Sequence, residues 1–537
     1  MRQQTFFLTS GTYRIAVTTF LPKNSPRSVL LFIPPFVEER KGALPFFVSV
    51  ARAAGEHDFA SVLFDFAGAG DSEGEFSQVP FSQLETDIET VVNWVNEHFA
   101  DIPQTFCGLR AGAILAQRSA AKFQSCRALV TWSATPGKSF FRELLQRRMV
   151  NDMIAYGKAR VSRSELEEKL KNGESVDLDG YTVSSDFYRG IQDLSPVDVS
   201  CPTFAAPQET RYPPFWNTIG HVDLSDLIQE TLTWLDRTIP EKSTADASRE
   251  AQTDLPPNDE KDFLELSVRD AKNETSRSCR LAWERPKDKL PTSGALFLHG
   301  WSGDRTGPHR LFVRFARELA NRGVLSLRPD WIGRGLSDGR ATDASIAGMA
   351  DTAQQALDAL RKELPENVPI RLVAICSGCK VAITLASRNQ DLSELTLWSP
   401  ESMGSLRAKS TGRRKLLHMV AAYGKKPFRL ETWKKILHGK VNTDLVAKAL
   451  VNQEVRSAEE AKQEDRSLEA FRTFRHPVRM IFGGSDPDAK GSLEAYTRFC
   501  EKNQIPYSVE TIPHAGHSYY GEDWTDQLFR LSLKDHA

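Results

Sequence analysis

Arg371-Leu372-Val373-Ala374-Ile375-Cys376-Ser377-Gly378-Cys379-Lys380-Val381-Ala382 reads as a short apolar strand, a tight turn flanked by small residues and the opening of a helix. Cys376 sits at the apex of that turn, where a helix N-terminus favours the anion of a thiol. Ser377 is the rival apex residue, but centring the turn on it would put Ile375 where a large side chain crowds the fold-back. The pattern recurs upstream as Phe106-Cys107-Gly108-Leu109-Arg110-Ala111-Gly112-Ala113-Ile114, with Arg110 at the apex. Two more landmarks repeat around it: Pro34-Pro35-Phe36 against His299-Gly300-Trp301, and Gly68-Ala69-Gly70-Asp71-Ser72 against Gly333-Arg334-Gly335-Leu336-Ser337. The spacing repeats as well, with 34 positions from Pro34 to Gly68 and from His299 to Gly333, and 22 from each apex to Trp132 or Trp398. Two copies of one fold are joined head to tail.

Size points the same way, since 537 residues exceed what a single core supports. The expected division is a first domain over 1–240, a linker over 241–262 that is polar and proline-bearing, and a second domain over 263–537. A net charge of −1 and a hydrophobic fraction of 40% give no reason to expect a nucleic-acid partner. The N-terminal stretch is too polar for a signal peptide and no apolar run is long enough to span a membrane, so a cytoplasmic location is expected. The seven cysteines are odd in number and scattered, which suits reduced thiols better than a disulfide framework.

Short apolar strands (Val29–Ile33, Ala60–Phe64, Thr105–Gly108 and Ala128–Trp132, then Ala295–Leu298, Val324–Leu327, Ile370–Ile375 and Leu395–Trp398) alternate with helical stretches. The expectation is α/β: two tandem α/β-hydrolase-fold domains, each a mostly parallel doubly wound sheet. After Trp132 and Trp398 the alternation gives way to long helical insertions, expected caps over about 139–198 and 403–475. The second is basic, with twelve Lys and Arg against two acids between Met403 and Leu450, Lys434 and Lys435 among them. Such an excess is either a solvated helical face or a site for an anionic ligand such as coenzyme A, a phosphopantetheinyl carrier protein or a sugar phosphate.

Downstream of Cys376, Pro477-Val478-Arg479-Met480-Ile481-Phe482-Gly483-Gly484-Ser485-Asp486-Pro487 reads as a strand ending in a turn, and Val509-Glu510-Thr511-Ile512-Pro513-His514-Ala515-Gly516-His517-Ser518 as a strand followed by a loop. Nucleophile, acid and histidine in that order, each at a strand end, make Cys376, Asp486 and His517 the expected triad. Asp486 is preferred to Asp488 and His517 to His514. The backbone N–H groups of Trp301 and Ser377 are the expected oxyanion hole, with Asp304 and Arg305 at the entrance. Cys376 and Cys379 lack the second cysteine pair that zinc would need, although they could pair in a regulatory disulfide. No cofactor and no metal site is expected.

In the first copy Arg110 cannot act as a nucleophile, because a guanidinium does not deprotonate. His221 follows Gly220 as His517 follows Gly516, but no Gly-Gly-x-Asp turn precedes it and Glu209 is a loose substitute. Arg110 either binds a carboxylate or phosphate ligand or pairs internally with an acid such as Glu38 or Glu39.

With these residues in view, the first domain resembles the exosortase A system-associated hydrolase type 2 family in Pro34-Pro35-Phe36-Val37-Glu38-Glu39, Gly70-Asp71-Ser72-Glu73-Gly74, Gly108-Leu109-Arg110, Gly173–Tyr181 and Pro213-Pro214-Phe215-Trp216. The second resembles the type 1 family in its apex cysteine, Leu397-Trp398-Ser399-Pro400 and Thr432–Asn442, and departs from it at Ala374 and Ser377. The resemblance implies a bacterial protein linked to surface polysaccharide or protein-sorting systems. The expected activity is acyl hydrolysis or transfer, of thioesterase or esterase type, through an acyl-Cys376 intermediate on a small-molecule acyl substrate, carried by coenzyme A or a carrier protein or free. The alternatives are a non-catalytic binding or scaffold protein and, against the cysteine, a dehalogenase-like or lyase reaction.

Overall fold

A computed structural model of the chain describes residues 1–206, 212–218, 222–240, 261–269, 276–287, 289–406 and 458–534. Lys434 and Lys435, most of the second insertion, residues 241–260 of the linker, Glu209 and His221 lie outside the described residues.

The first half runs β1 (Arg2–Ser10), β2 (Tyr13–Leu21), β3 (Ser28–Ile33), α1 (Glu38–Glu56), β4 (Phe59–Phe64), α2 (Phe81–His98), β5 (Gln104–Leu109), α3 (Ala111–Lys122), β6 (Cys126–Trp132), α4 (Gly137–Tyr156), α5 (Arg163–Lys171), β7 (Val176–Leu178), β8 (Tyr181–Val183), α6 (Ser185–Gln192), β9 (Thr203–Ala206) and α7 (Ser225–Thr238). The second half runs β10 (Phe263–Arg269), β11 (Ser276–Glu284), β12 (Ser293–Leu298), α8 (Leu311–Asn321), β13 (Val324–Pro329), α9 (Ile346–Glu363), β14 (Ile370–Ile375), α10 (Gly378–Arg388), β15 (Glu394–Trp398), α11 (Ala458–Phe471), β16 (Val478–Gly483), α12 (Ala489–Asn503), β17 (Tyr507–Ile512) and α13 (Glu522–Ser532).

The first sheet has the order β1-β2-β4-β3-β5-β6-β9, and the second β10-β11-β13-β12-β14-β15-β16-β17. In each, the first two strands of the order are antiparallel to their neighbours and the rest are parallel. Apolar clusters fill both faces of both sheets, as parallel strands require. The first copy has no described counterpart of β17; near that place stand Pro213, Pro214 and a single 3-10 turn at Phe215–Asn217. Prolines lack the N–H that a further parallel strand would need. The insertion between β6 and β9 is helical except for the hairpin of β7 and β8, which turns at Asp179-Gly180.

The halves touch through corresponding surfaces. Arg52 of α1 donates to the carbonyls of Leu336, Ser337 and Gly339, while Arg317 of α8 donates to those of Asp71, Ser72 and Gly74, the matching positions of the other copy. Reciprocity of this kind is the mark of an isologous pairing. The symmetry breaks where it becomes charged. Leu336 is buried in the apolar cluster of the first half that holds Phe20, Phe32 and Phe47, whereas its counterpart Asp71 lies 2.8 Å from both Arg305 and Arg328.

Candidate active site

β14 ends against the turn that holds Cys376, whose N–H donates to the Trp398 carbonyl on β15 at 3.0 Å. Cys376 has φ +60°, a left-handed conformation that a side chain adopts only at a cost of about 1–3 kcal/mol. Ser377, at φ −66°, already has helical backbone angles, so the strained position belongs to the cysteine. Arg110 mirrors it with φ +59° and the same bond to Trp132. The tight turn presses the following helix onto the neighbouring strand: a Cβ on Gly378 would meet the Leu298 carbonyl at 2.1 Å, and one on Gly112 the Pro34 carbonyl at 2.5 Å.

The turn after β16 and the loop after β17 bring Asp486 and His517 together, with Nδ1 of His517 2.7 Å from Oδ2 of Asp486. The other oxygen of Asp486 accepts the Asp488 N–H at 3.0 Å. Burial alone would lower the pKa of His517, but its hydrogen bonds to Asp486 and Cys376 outweigh burial and hold it well above the usual imidazole range. His514 faces away, with its ring 4.7 Å from that of Tyr156. The Trp301 N–H donates to the Ser377 hydroxyl at 2.8 Å, so an acyl oxygen reaching this donor takes the place of that hydroxyl. Cys379 is fully buried, which raises its pKa well above the ordinary thiol value, and its thiol points to the Trp398 carbonyl.

One group in the site carries no sequence motif. Glu401, just beyond the β15 strand, accepts the Cys376 thiol at 3.1 Å and pairs through its other oxygen with Lys380 at 2.8 Å. Burial pushes the Glu401 carboxyl up, but the Lys380 ammonium dominates and holds it at about 2. The thiol, a Glu401 oxygen and a His517 nitrogen lie within 4.8 Å of one another. They are ligands of the kind that bind a divalent ion, although Lys380 beside the same carboxylate opposes a cation there. Lys380 lies one helical turn beyond Cys376, the one sign of this arrangement that the sequence offers.

Arg305 is not at the entrance. It is buried between the halves, paired with Asp71 and Asp330 at 2.8 Å each, and Asp304 beside it is buried near Arg40. Both were expected at the mouth from their closeness in sequence to Trp301, but their charges are satisfied by acids and arginines remote in sequence. Arg110 is buried too. It donates to Glu39 at 3.2 Å and to Thr135 at 2.6 Å, bonds Glu143, and lies over the Trp216 ring at 4.8 Å. Glu38 turns instead toward the second half, accepting from Tyr181, Tyr520 and the His309 N–H. Ala155, at the tip of α4, accepts from Ser485 and lies 3.3 Å from a ring nitrogen of His514. The first half thus grips the two loops that carry Asp486 and His517.

Among the described residues no helix is long and apolar enough to cross a membrane. No curated protein matches the chain. Solved structures similar to it include Est1E from Butyrivibrio proteoclasticus with ferulic acid bound, at 18% identity and TM-score 0.34 over 50% of this chain and 98% of that one. A thioesterase domain from the curacin biosynthetic pathway is 16% identical, with TM-score 0.32 over 51% and 99%. A thermostable carboxyl esterase from Bacillus coagulans is 15% identical, with TM-score 0.33 over 51% and 97%. The family model described as alpha/beta hydrolase family matches residues 295–531, all within the second half of the chain.

Proposed function

We propose that the second half is an acyl hydrolase or acyltransferase of the esterase or thioesterase type, acting through a covalent acyl-Cys376. The observation that carries this reading is the strained backbone of Cys376 beside a His517 already tied to Asp486. The thiol proton resides on Nε2 of His517 in a thiolate–imidazolium pair, which is why the histidine is held high; sulfur attacks the acyl carbon, and His517 passes that proton to the leaving group. The backbone N–H groups of Trp301 and Ser377 take the oxyanion as the carbon becomes tetrahedral. Asp486 holds the ring so that Nε2 faces the sulfur and stabilises the imidazolium. A thiolate suits thioesters and activated esters, because an amide's amine needs more help to leave.

The basic stretch around Lys434 and Lys435 favours an anionic carrier such as coenzyme A or a phosphopantetheinyl protein. The first half, with Arg110 bonded to Glu39, Glu143 and Thr135, acts as a supporting pseudo-hydrolase. Its resemblance to the exosortase A system-associated families suggests a role in the cytoplasm in making or exporting surface polymers.

The test is incubation of the protein and its Cys376→Ala and Cys376→Ser variants with p-nitrophenyl esters and acyl-coenzyme A thioesters, followed by intact mass. An acyl adduct absent from Cys376→Ala supports the reading. No turnover and no adduct, with Cys376 no more reactive than Cys107 or Cys500, favours a non-catalytic binding protein.

A further inference from the structure

A carboxylate 3.1 Å from a nucleophilic sulfur disfavours thiolate formation, since two negative charges then face one another. Glu401 cannot escape that role by protonation, because Lys380 keeps it ionised. A group that burdens the first step of a two-step reaction is explained if it serves the second.

Once sulfur is acylated it carries no hydrogen, and Glu401 loses the donor it has in the free protein. A half-buried carboxylate left short of a donor is costly, so an acceptor that donates to Glu401 is favoured beside the acylated sulfur. An oxygen of Glu401 and a ring nitrogen of His517 lie no more than 4.8 Å apart. One atom with two hydrogens can bridge such a gap with bonds of about 2.8 Å.

Resting on the acyl-Cys376 reading, we propose that Glu401 is a catalytic residue of deacylation that selects an acceptor with two donor hydrogens, water or a primary amine, over an alcohol. In the step itself, the acceptor's oxygen or nitrogen bonds to the acyl carbon while one of its protons passes to Nε2 of His517. The carbon–sulfur bond then breaks, and His517 returns that proton to the sulfur. The acceptor's second hydrogen points at Glu401 throughout and leaves with the product, so Glu401 gains no net proton. An alcohol has one hydrogen for two acceptors and must leave either His517 or Glu401 unsatisfied.

The full-length protein is acylated with a p-nitrophenyl ester in water containing methanol or glycinamide. The p-nitrophenol burst reads acylation, and the acid, methyl ester and amide products read deacylation. Wild type is expected to give acid and amide with little methyl ester. Glu401→Leu is expected to quicken the burst, since the charge opposing the thiolate is gone, to slow deacylation about tenfold or more, and to raise the ratio of methyl ester to acid by a similar factor. Because that variant leaves the Lys380 ammonium buried without its carboxylate, Glu401→Leu combined with Lys380→Met is tested beside it. An unchanged product ratio with normal deacylation in a folded variant overturns the role of Glu401 and leaves the acyl-enzyme reading standing. Failure of wild type to form any Cys376 adduct overturns both.

Discussion

Glu38 and Tyr520 are 482 positions apart in the chain, yet the tyrosine hydroxyl donates to the Glu38 carboxylate at 2.9 Å. Burial first, and then the Glu38 charge, push the phenol pKa well above its ordinary value, so the hydroxyl remains a donor at any working pH. Tyr520 lies three residues beyond His517, and the bond ties the His517 loop to the opposite half of the molecule. Glu38→Ala is expected to lower the rate of the p-nitrophenol burst about tenfold, the scale of loss that follows when a reacting group is misplaced by a fraction of an ångström. Glu38→Gln, which still accepts a hydrogen bond, is expected to fall between that variant and wild type. Equal rates in all three proteins would show that the clamp does not reach His517.

The charges around the sulfur predict opposite effects of two substitutions on the pH profile of Cys376 alkylation by iodoacetamide. Asp486→Asn removes the bond that raises the pKa of His517, so the imidazolium that favours a thiolate is lost and the profile moves to higher pH. Glu401→Gln removes the negative charge beside the sulfur and moves it to lower pH. The apparent values belong to the Cys376 and His517 pair rather than to either group alone. Shifts in the same direction would contradict the arrangement.

Asp71 is the one acid between Arg305 and Arg328 contributed by the other half, and its side chain is 3% exposed. Replacing it with asparagine leaves Arg305 with Asp330 alone and takes from buried Arg328 the carboxylate it pairs with. The expected loss is about 3–5 kcal/mol, the range for breaking a buried pair by removing one partner. It is measured as a fall in the urea midpoint followed by tryptophan fluorescence. A change below about 0.5 kcal/mol, as on an open surface, would mean that the halves do not meet there.

Lys380 is fully buried with Glu401 as its counter-ion. Lys380→Met alone is expected to destabilise the protein by about 3 kcal/mol, and Glu401→Leu on the same background to recover much of that loss, because the unpaired charge goes with it. Chemical denaturation of the four proteins of this cycle gives the coupling directly.

The turn at Cys376, its repeat at Arg110, and the order Asp486 then His517 could all be read from the sequence, because each depends on residues next to one another on a strand, a turn and a helix. Glu401 could not. It stands in the loop after Trp398-Ser399-Pro400, and only the packing of that loop over α10 brings it to the sulfur. Arg305 misled for the same reason: its partner Asp71 is 234 residues away in the other half, while its neighbours in sequence belong to the oxyanion loop. β1 was missed because Gln3, Gln4 and Thr5 break the apolar alternation. Those residues are nonetheless buried, covered by the second half and by neighbouring strands.

The reciprocal grip of Arg52 and Arg317 has a bearing on stoichiometry. A surface that answers its own counterpart could accept a like copy for the arginine contacts alone, but a second half meeting its own copy would set Arg305 and Arg328 against Leu336 in place of Asp71. Joining the halves in one chain presents each to the other at an effective concentration of about millimolar. Covalent continuity and the Asp71 ion pairs thus favour the same choice, a Cys376 half against an Arg110 half, one to one.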